Sequence, residues 1–427
     1  MLLEQPIFYY EAIREKFKNS YLAEDKTQTI IGIDCDYIDE KDMDFYGLRS
    51  YFDTNCNKSL APFAGLFGVF AYDGVRYFEY IGEEKAKKYE FPKFIYADAK
   101  AYLHFDKMSK IYTFYGDKNK YYDFLLDVKV ENKNKNKSKE QSKFSIKTDL
   151  GKEKKHFEDM VELAKEYIRI GDIFQVVLGE LLEISTNMSS LEFYKKLSLT
   201  NPSPYMFHFP TPYGDVVGSS PELVFEMKSE QIFVAPIAGT RPRGSDANAD
   251  ATLENELLSD EKELAEHKML IDLARNDIGR VSEPKSVAVK NAMHIQKYEK
   301  VIHIVSDVYG KCAKGLDLFD VLASIFPAGT LSGAPKIRAM QIINELEISE
   351  RNIYGGGIGF LHFNGDAQVA ILIRSAIFVP SENGFSDVFV GAGAGIVYDS
   401  KSEREYAEIC HKRASVLNVF KNNAKEF

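Results

Sequence analysis

Hydrophobic and polar positions follow two periods along this chain, and the switches between them mark out its elements. In "KHFEDMVELAKEYIRIGD" (155–172) Phe157, Val161, Ala164 and Ile168 fall at helical spacing, and Gly171 ends the run. "GLFGVFAYDGVRYFEYIG" (65–82) is rich in aromatic and β-branched residues and reads as strand. So do "IFQVVLGELLEIS" (173–185), "SPYMFHF" (203–209) and the hairpin "ELVFEMKSEQIFVAPI" (222–237). A long helical region follows from about Ala249 to Asp277, then a strand pair at about 286–309. Two helices come next: "LDLFDVLASIF" (316–326), and one opening at "SGAPKIRAMQIINELE" (332–347), where Ser332 suits a cap and Pro335 a first turn. "YGGGIGFLHFNGDAQVAILIRSAIFV" (354–379) reads as a hairpin around Asn364-Gly365. A last strand ends in "VGAGAG" (390–395), and a final helix starts near Glu403. Hairpins mixed with helices, without a repeating βαβ rhythm or an internal repeat, predict an α+β fold.

The strongly polar run "VENKNKNKSKEQSK" (130–143) cannot bury enough apolar surface to offset its ordering entropy, and reads as a linker. It divides an N-terminal region, 1–145, from a larger region, 146–427. With 45% hydrophobic residues in 427, the chain can build a substantial core. A net charge of −10 argues against nucleic acid or a membrane surface as partner. No apolar run reaches membrane-spanning length, and charges interrupt "MLLEQPIFYYEAIREKF" too early for a signal peptide. Cys35, Cys56, Cys312 and Cys410 are scattered, which predicts reduced thiols and a cytoplasmic setting. Tryptophan is absent. Coding bias accounts for that as well as synthesis under tryptophan scarcity does.

Two helical stretches carry paired acids. "KELAEHKMLIDLARNDIGR" (262–280) holds Glu263 and Glu266, and "EREYAEICHK" (403–412) holds Glu405 and Glu408. Residues three apart share a helix face. Such pairs are usually solvated faces; two of them converging would also suit Mg²⁺, which favours oxygen ligands and keeps several waters. Spacing alone leaves both readings open.

The wider pattern adds to this. "PIAGTRPRG" (236–244), "AEHKMLIDLARNDIGRV" (265–281), "FPAGTLSGAPKIRAM" (326–340), "YGGGIGF" (354–360) and "VGAGAGIVYDS" (390–400) together resemble the chorismate-utilising enzymes. Within that family the likeness is greatest to the large subunits (component I) of anthranilate synthases, and it covers about residues 155–420. The resemblance implies large, mainly antiparallel mixed sheets packed with helices. It also implies a Mg²⁺-dependent reaction of chorismate with ammonia to give anthranilate and pyruvate. On it, Glu266 and Glu408 are direct metal ligands, and Glu263 and Glu405 act through water. Arg374 grips the enolpyruvyl carboxylate, a role suited to a guanidinium fork. Gly393 and Gly395 approach a substrate carboxylate, and the glycine run by itself reads as an anion-binding nest. Tyr354 lines the site, Lys412 lies near the metal-bound carboxylate, and Thr330 and Thr240 are on the substrate side.

Hydroxide leaves poorly, so an acid must protonate the leaving hydroxyl on ring carbon 4. Glu222, in "GSSPELVF", matches the family's general acid. His303 matches a histidine beside the substrate that assists pyruvate release. Gln175 stands where water-using relatives carry lysine; a neutral amide can orient ammonia, which needs no base. Ala238 stands where aminodeoxychorismate synthases carry a lysine able to attack ring carbon 2. Together these two residues select anthranilate over an aminodeoxychorismate or aminodeoxyisochorismate synthase, and the full set of site residues disfavours a non-catalytic binding subunit. No Gly-x-Cys-x-Gly elbow surrounds a cysteine, so glutamine use implies a separate glutamine amidotransferase subunit. "NPSPYMF" (201–207), through Asn201, Pro202, Ser203, Pro204, Tyr205 and Met206, matches the family's tryptophan feedback motif. In its second half, "LAED" (22–25), Asp25 replaces the usual serine.

Overall fold

The structure is a computed structural model that describes residues 5–55, 58–126, 142–298 and 301–421. Most of the polar run at 130–143, and Cys56, lie outside the described residues. The described strands form two large sheets in which every pairing is antiparallel. The first runs Gly333–Ala334, Gln175–Thr186, Ser386–Ile396, Ser375–Pro380, Gly214–Ser220, Tyr205–Thr211, Tyr21–Glu24, Gln28–Ile33, Ala101–Asp106, Ile111–Tyr115. The second runs Ile237–Pro242, Val301–Lys311, Gln231–Val234, Leu223–Lys228, Ala367–Ile371, Gly357–His362, Gly65–Phe70, Phe94–Asp98, Asp36–Asp39. Both draw strands from either side of residue 145.

The inner faces meet over aromatic rings. Tyr21 of the first sheet stacks on Phe67 of the second at 4.4 Å, and Phe209 and Phe360 close around Phe67 at 5.4 and 4.7 Å. Edge and offset packing of this kind adds to the gain from burial alone. The helices Leu150–Arg169, Lys336–Leu346 and Ser402–Lys421 pack through Phe157, Val161, Ile342, Ile343 and Ile409 against the strands Gln175–Thr186 and Ser386–Ile396. The helix Glu261–Gly279 lies on the second sheet, against Ile237–Pro242 and Val301–Lys311. No described helix is long and apolar enough to cross a membrane.

Several local expectations need correction. Only Gly65–Phe70 of the aromatic run is strand; Tyr72–Tyr77 is a 3₁₀ turn that brings Phe78 back to stack on Phe70 at 5.7 Å. The long helical region is two helices, Ala247–Ser259 and Glu261–Gly279. Asp260 leaves the helical conformation between them and caps the second through the amides of Lys262 and Glu263. Ser332 caps nothing; its hydroxyl donates to the Ala328 carbonyl, and the helix begins after Pro335. The segment 354–379 is not one hairpin. Gly357–His362 and Ala367–Ile371 pair in the second sheet, whereas Ser375–Pro380 belongs to the first.

Candidate active site

Two of the places where the chain crosses between sheets are neighbours. One crossing runs from Gly214–Ser220 to Leu223–Lys228 and carries Glu222; the other runs from Ala367–Ile371 to Ser375–Pro380 and carries Arg374. The strands pair on both sides, and the crossings are tied directly. The Ile371 amide donates to the Glu222 carbonyl at 2.9 Å, and the Ser219 amide to the Arg374 carbonyl at 3.2 Å. Arg374 turns the corner with φ +53°. A left-handed residue that is neither glycine nor asparagine is uncommon and clusters at functional sites.

Glu222 and Arg374 perturb one another. Burial holds the Glu222 carboxyl above the usual carboxylate range, while Arg374, Lys412 and a 3.3 Å hydrogen bond from Thr330 Oγ1 pull it down. Burial pushes the Arg374 guanidinium below its ordinary value. Among the described residues that guanidinium has no ion pair or side-chain hydrogen bond, so its fork remains available to an anion.

His303 is held from the second sheet. It pairs with Thr240 across strands, at a bulge where Gly239 takes φ +65°. Its Nδ1 lies 2.8 Å from the Gly239 carbonyl and 3.1 Å from Thr240 Oγ1. A carbonyl only accepts, so Nδ1 carries the proton and Nε2 keeps its lone pair. Burial, helped by Arg374, lowers the ring's proton affinity and keeps it neutral. Ala238 is half-buried beside the bulge and brings no amine.

The glycine run is not a nest. Gly391–Ile396 is extended strand paired with Val176–Leu181, and Gly391, Gly393 and Gly395 have no positive φ. Their bareness serves packing instead. A Cβ on Gly391 would fall 2.3 Å from the Tyr354 ring, and one on Gly393 would fall 2.5 Å from its hydroxyl. One on Gly395 would meet Gln175 Nε2 at 2.7 Å. Gln175 is buried and donates through that nitrogen to Glu266 Oε1 at 2.7 Å. Lys412 donates to the Gly393 carbonyl at 2.8 Å and pairs with Glu408 at 2.6 Å.

The two acid-bearing helices approach one another: Lys262 of one pairs with Asp399, just before the other, at 3.0 Å. Glu266 holds its proton more tightly than usual, through burial and then the nearby Glu263 and Glu408 charges. Glu405 does so through burial and Glu408. Each acid also has a neighbour of its own: Arg241 for Glu263, Gln175 for Glu266, Ser400 for Glu405 and Lys412 for Glu408. Among the described residues no three acids, histidines or cysteines are gathered tightly enough to hold a metal ion by themselves. The four-glutamate cage expected from the sequence is therefore not present as a closed set. The donor chemistry still fits Mg²⁺, which takes one or two carboxylates and completes its shell with water and substrate oxygens. A cation between the helices would relieve the like-charge crowding that, after burial, raises the proton affinity of Glu266 and Glu405.

The expected regulatory residues divide. Asp25, Tyr205 and Met206 line a cavity of about 230 Å³ between the sheets, with Phe67 and Phe360. Asn201, Pro202, Ser203 and Pro204 lie outside its lining. The Asp25 carboxylate is not free for a ligand, because it accepts from the Thr27 amide and hydroxyl and the Gln28 amide and side chain.

Sequence reasoning overlooked Arg351. It stacks on Tyr72 and Tyr354, pairs with Glu347, and donates to the carbonyls of Leu331 and Val177 at 2.7 Å each. It thereby ties the turn bearing Thr330 to the strand bearing Gln175 and to Tyr354. "SERNIY" (349–354) looks like a polar loop, and although Arg351 stands four residues after Glu347, both lie beyond the helix Lys336–Leu346, where that spacing does not signal burial.

Residues 5–418 match the chorismate binding enzyme family, and the chain belongs to it. It is 49% identical to anthranilate synthase component 1 of Aquifex aeolicus over 62% of this chain and 53% of that protein. The match to the Acetivibrio thermocellus component 1 is 52% identical over 60% and 50%, so the chain matches about half the length of these relatives. The Methanothermobacter thermautotrophicus component 1 is 36% identical over 97% of this chain and 92% of its own. The crystal structure of anthranilate synthase component I from Streptococcus pneumoniae superposes with a TM-score of 0.76 at 32% identity, covering 93% and 92% of the two chains. The menaquinone-specific isochorismate synthase of Escherichia coli shares the fold alone, at 17% identity and a TM-score of 0.70 over 94% and 88%.

Proposed function

We propose that this chain is the chorismate-converting component of an anthranilate synthase, a Mg²⁺-dependent lyase acting in tryptophan biosynthesis. One observation carries the reading: a carboxyl of raised proton affinity, Glu222, sits beside the Arg374 guanidinium, which has no ion pair among the described residues, with the neutral His303 near the same guanidinium. Chorismate offers two carboxylates and a hydroxyl to be expelled. Arg374 binds the enolpyruvyl carboxylate. Glu222, steadied by Thr330, protonates the hydroxyl on ring carbon 4, which leaves as water. Gln175 has committed Nε2 to Glu266, which leaves Oε1 to accept an N–H of ammonia and aim its lone pair at ring carbon 2. Nε2 of His303 assists the second stage, in which pyruvate departs and the ring aromatises. Mg²⁺, held by Glu266 and Glu408 with Glu263 and Glu405 behind them, would neutralise the ring carboxylate. Atoms and charge balance: chorismate dianion and ammonia give anthranilate, pyruvate and water.

The direct test is anthranilate fluorescence and pyruvate release from chorismate, an ammonium salt and Mg²⁺. Activity is expected with ammonium and not with glutamine alone, abolished by a chelator and restored by Mg²⁺. Pyruvate absent from a reaction that consumes chorismate would favour an aminodeoxychorismate synthase instead. Glutamine use requires a separate amidotransferase subunit.

Gly393→Ala places a methyl group 2.5 Å from the Tyr354 hydroxyl and 2.6 Å from the Leu178 carbonyl, which is backbone and cannot yield cheaply. Such overpacking costs about 1–3 kcal/mol. The expected result is a lowered melting temperature, with a fall in kcat/KM for chorismate as the Tyr354 ring is displaced; an unaffected variant would remove Tyr354 from the site.

Tryptophan is proposed to bind the cavity lined by Tyr205 and Met206 and to inhibit weakly, because Asp25 is engaged by its own turn. Titrating activity with tryptophan checks this. Tight inhibition would show that Asp25 releases the turn to meet the ligand.

A further inference from the structure

Behind Glu222 lies a small cavity that the steps above leave unused. It measures about 30 Å³ and is walled mainly by aliphatic groups, among them Leu270, Ala274 and Ile325. A water needs about 10–15 Å³, so there is room for one or two. Its ionisable lining groups are Glu222 and Asp277. Asp277 also lines a separate open groove of about 420 Å³ with Arg280, Ser324 and Lys336, and it is the one residue common to both linings.

Asp277 is held in place. Its Oδ2 accepts from Lys336 Nζ at 2.6 Å, its carbonyl accepts from Ser324 Oγ at 2.6 Å, and its side chain is 10% exposed. Among the described residues its Oδ1 has no hydrogen bond. Lys336 is fixed in turn by the Ile325 carbonyl.

We propose that Asp277 is the relay residue that restores the proton Glu222 spends in each turnover, passing it through water in the cavity they share. The inference rests on the reading of Glu222 as the acid. When the carbon–oxygen bond breaks, its electron pair leaves with the hydroxyl oxygen, the Glu222 proton joins it, and water departs, leaving a carboxylate. With substrate or product held between Arg374 and Glu222, the route back to solvent on that side is blocked. A proton from the groove binds Asp277 Oδ1; the cavity water accepts it and gives one of its own to Glu222. Nothing is oxidised or reduced, and solvent recovers a proton when the added nitrogen sheds one. Burial raises the proton affinity of both carboxyls, against Lys336 and Arg280 at Asp277 and against Arg374 and Lys412 at Glu222, so the transfer joins groups displaced in the same direction.

The test is rapid-quench kinetics with the full chain, chorismate, ammonium and Mg²⁺, on Asp277→Asn and separately on Ala274→Leu. The second variant fills the cavity and leaves the Lys336 pair intact. Both are expected to complete the first turnover at the unmodified rate and then slow about tenfold or more, with a larger solvent deuterium effect on the later turnovers. A first turnover slowed as much as the rest would mark a structural role and overturn the relay, as would unchanged steady-state rates in both variants. If the unmodified chain makes no anthranilate even in its first turnover, the functional reading fails instead.

Discussion

Glu222→Gln is expected to bind chorismate and fail to turn it over. Glutamine keeps the shape and can still meet the Thr330 hydroxyl, but it has no proton to give. Removing a positioned general acid costs about 10²–10⁴-fold, so kcat should fall by that factor with KM little changed. The pH profile supplies the second readout. The acid must be protonated to act, and burial raises its pKa despite Arg374, Lys412 and Thr330. Activity is therefore present below that raised pKa and lost as pH rises through it. The descending limb should disappear from whatever activity Glu222→Gln retains. A variant with undiminished kcat would transfer the role to another group.

The elements that the sequence made legible are those whose faces are decided locally. Phe157, Val161 and Ala164 recur at helical spacing because one side of Leu150–Arg169 is buried on a sheet. The break at Asp260 falls within the region read as one helix, although an aspartate three residues before Glu263 is a capping pattern. The crossing at Arg374 was not legible. "ILIRSAIFV" keeps strand character throughout, and only pairing with Leu223–Lys228 before the corner and Gly214–Ser220 after it, both distant in sequence, decides that the chain turns there. The site shows the same division. Glu222, Arg374 and His303 were found by likeness to a family, whereas their mutual perturbation depends on two crossings lying side by side. A bare backbone suits both an anion-binding nest and a close-packed ring, and the extended pairing of Gly391–Ile396 decides for the ring.

Arg374→Gln should produce the other large effect, and it separates charge from shape. A charge-assisted hydrogen bond contributes about 1.5–3 kcal/mol, and a fork makes two to one carboxylate. Losing them should lower kcat/KM for chorismate about 100-fold or more, chiefly through KM, since about 1.4 kcal/mol is one decade. The same guanidinium holds down the proton affinity of Glu222. Removing its charge lets burial act with less opposition, so the descending limb of the pH profile should move to higher pH. Arg374→Lys keeps the charge but loses the fork. It should raise KM while leaving that limb near its original position. The two variants thus test one arrangement from opposite sides. If Arg374→Gln kept both the KM and the limb of the unmodified chain, the guanidinium would neither face the substrate nor tune the acid, and the two crossings would not be where chorismate reacts.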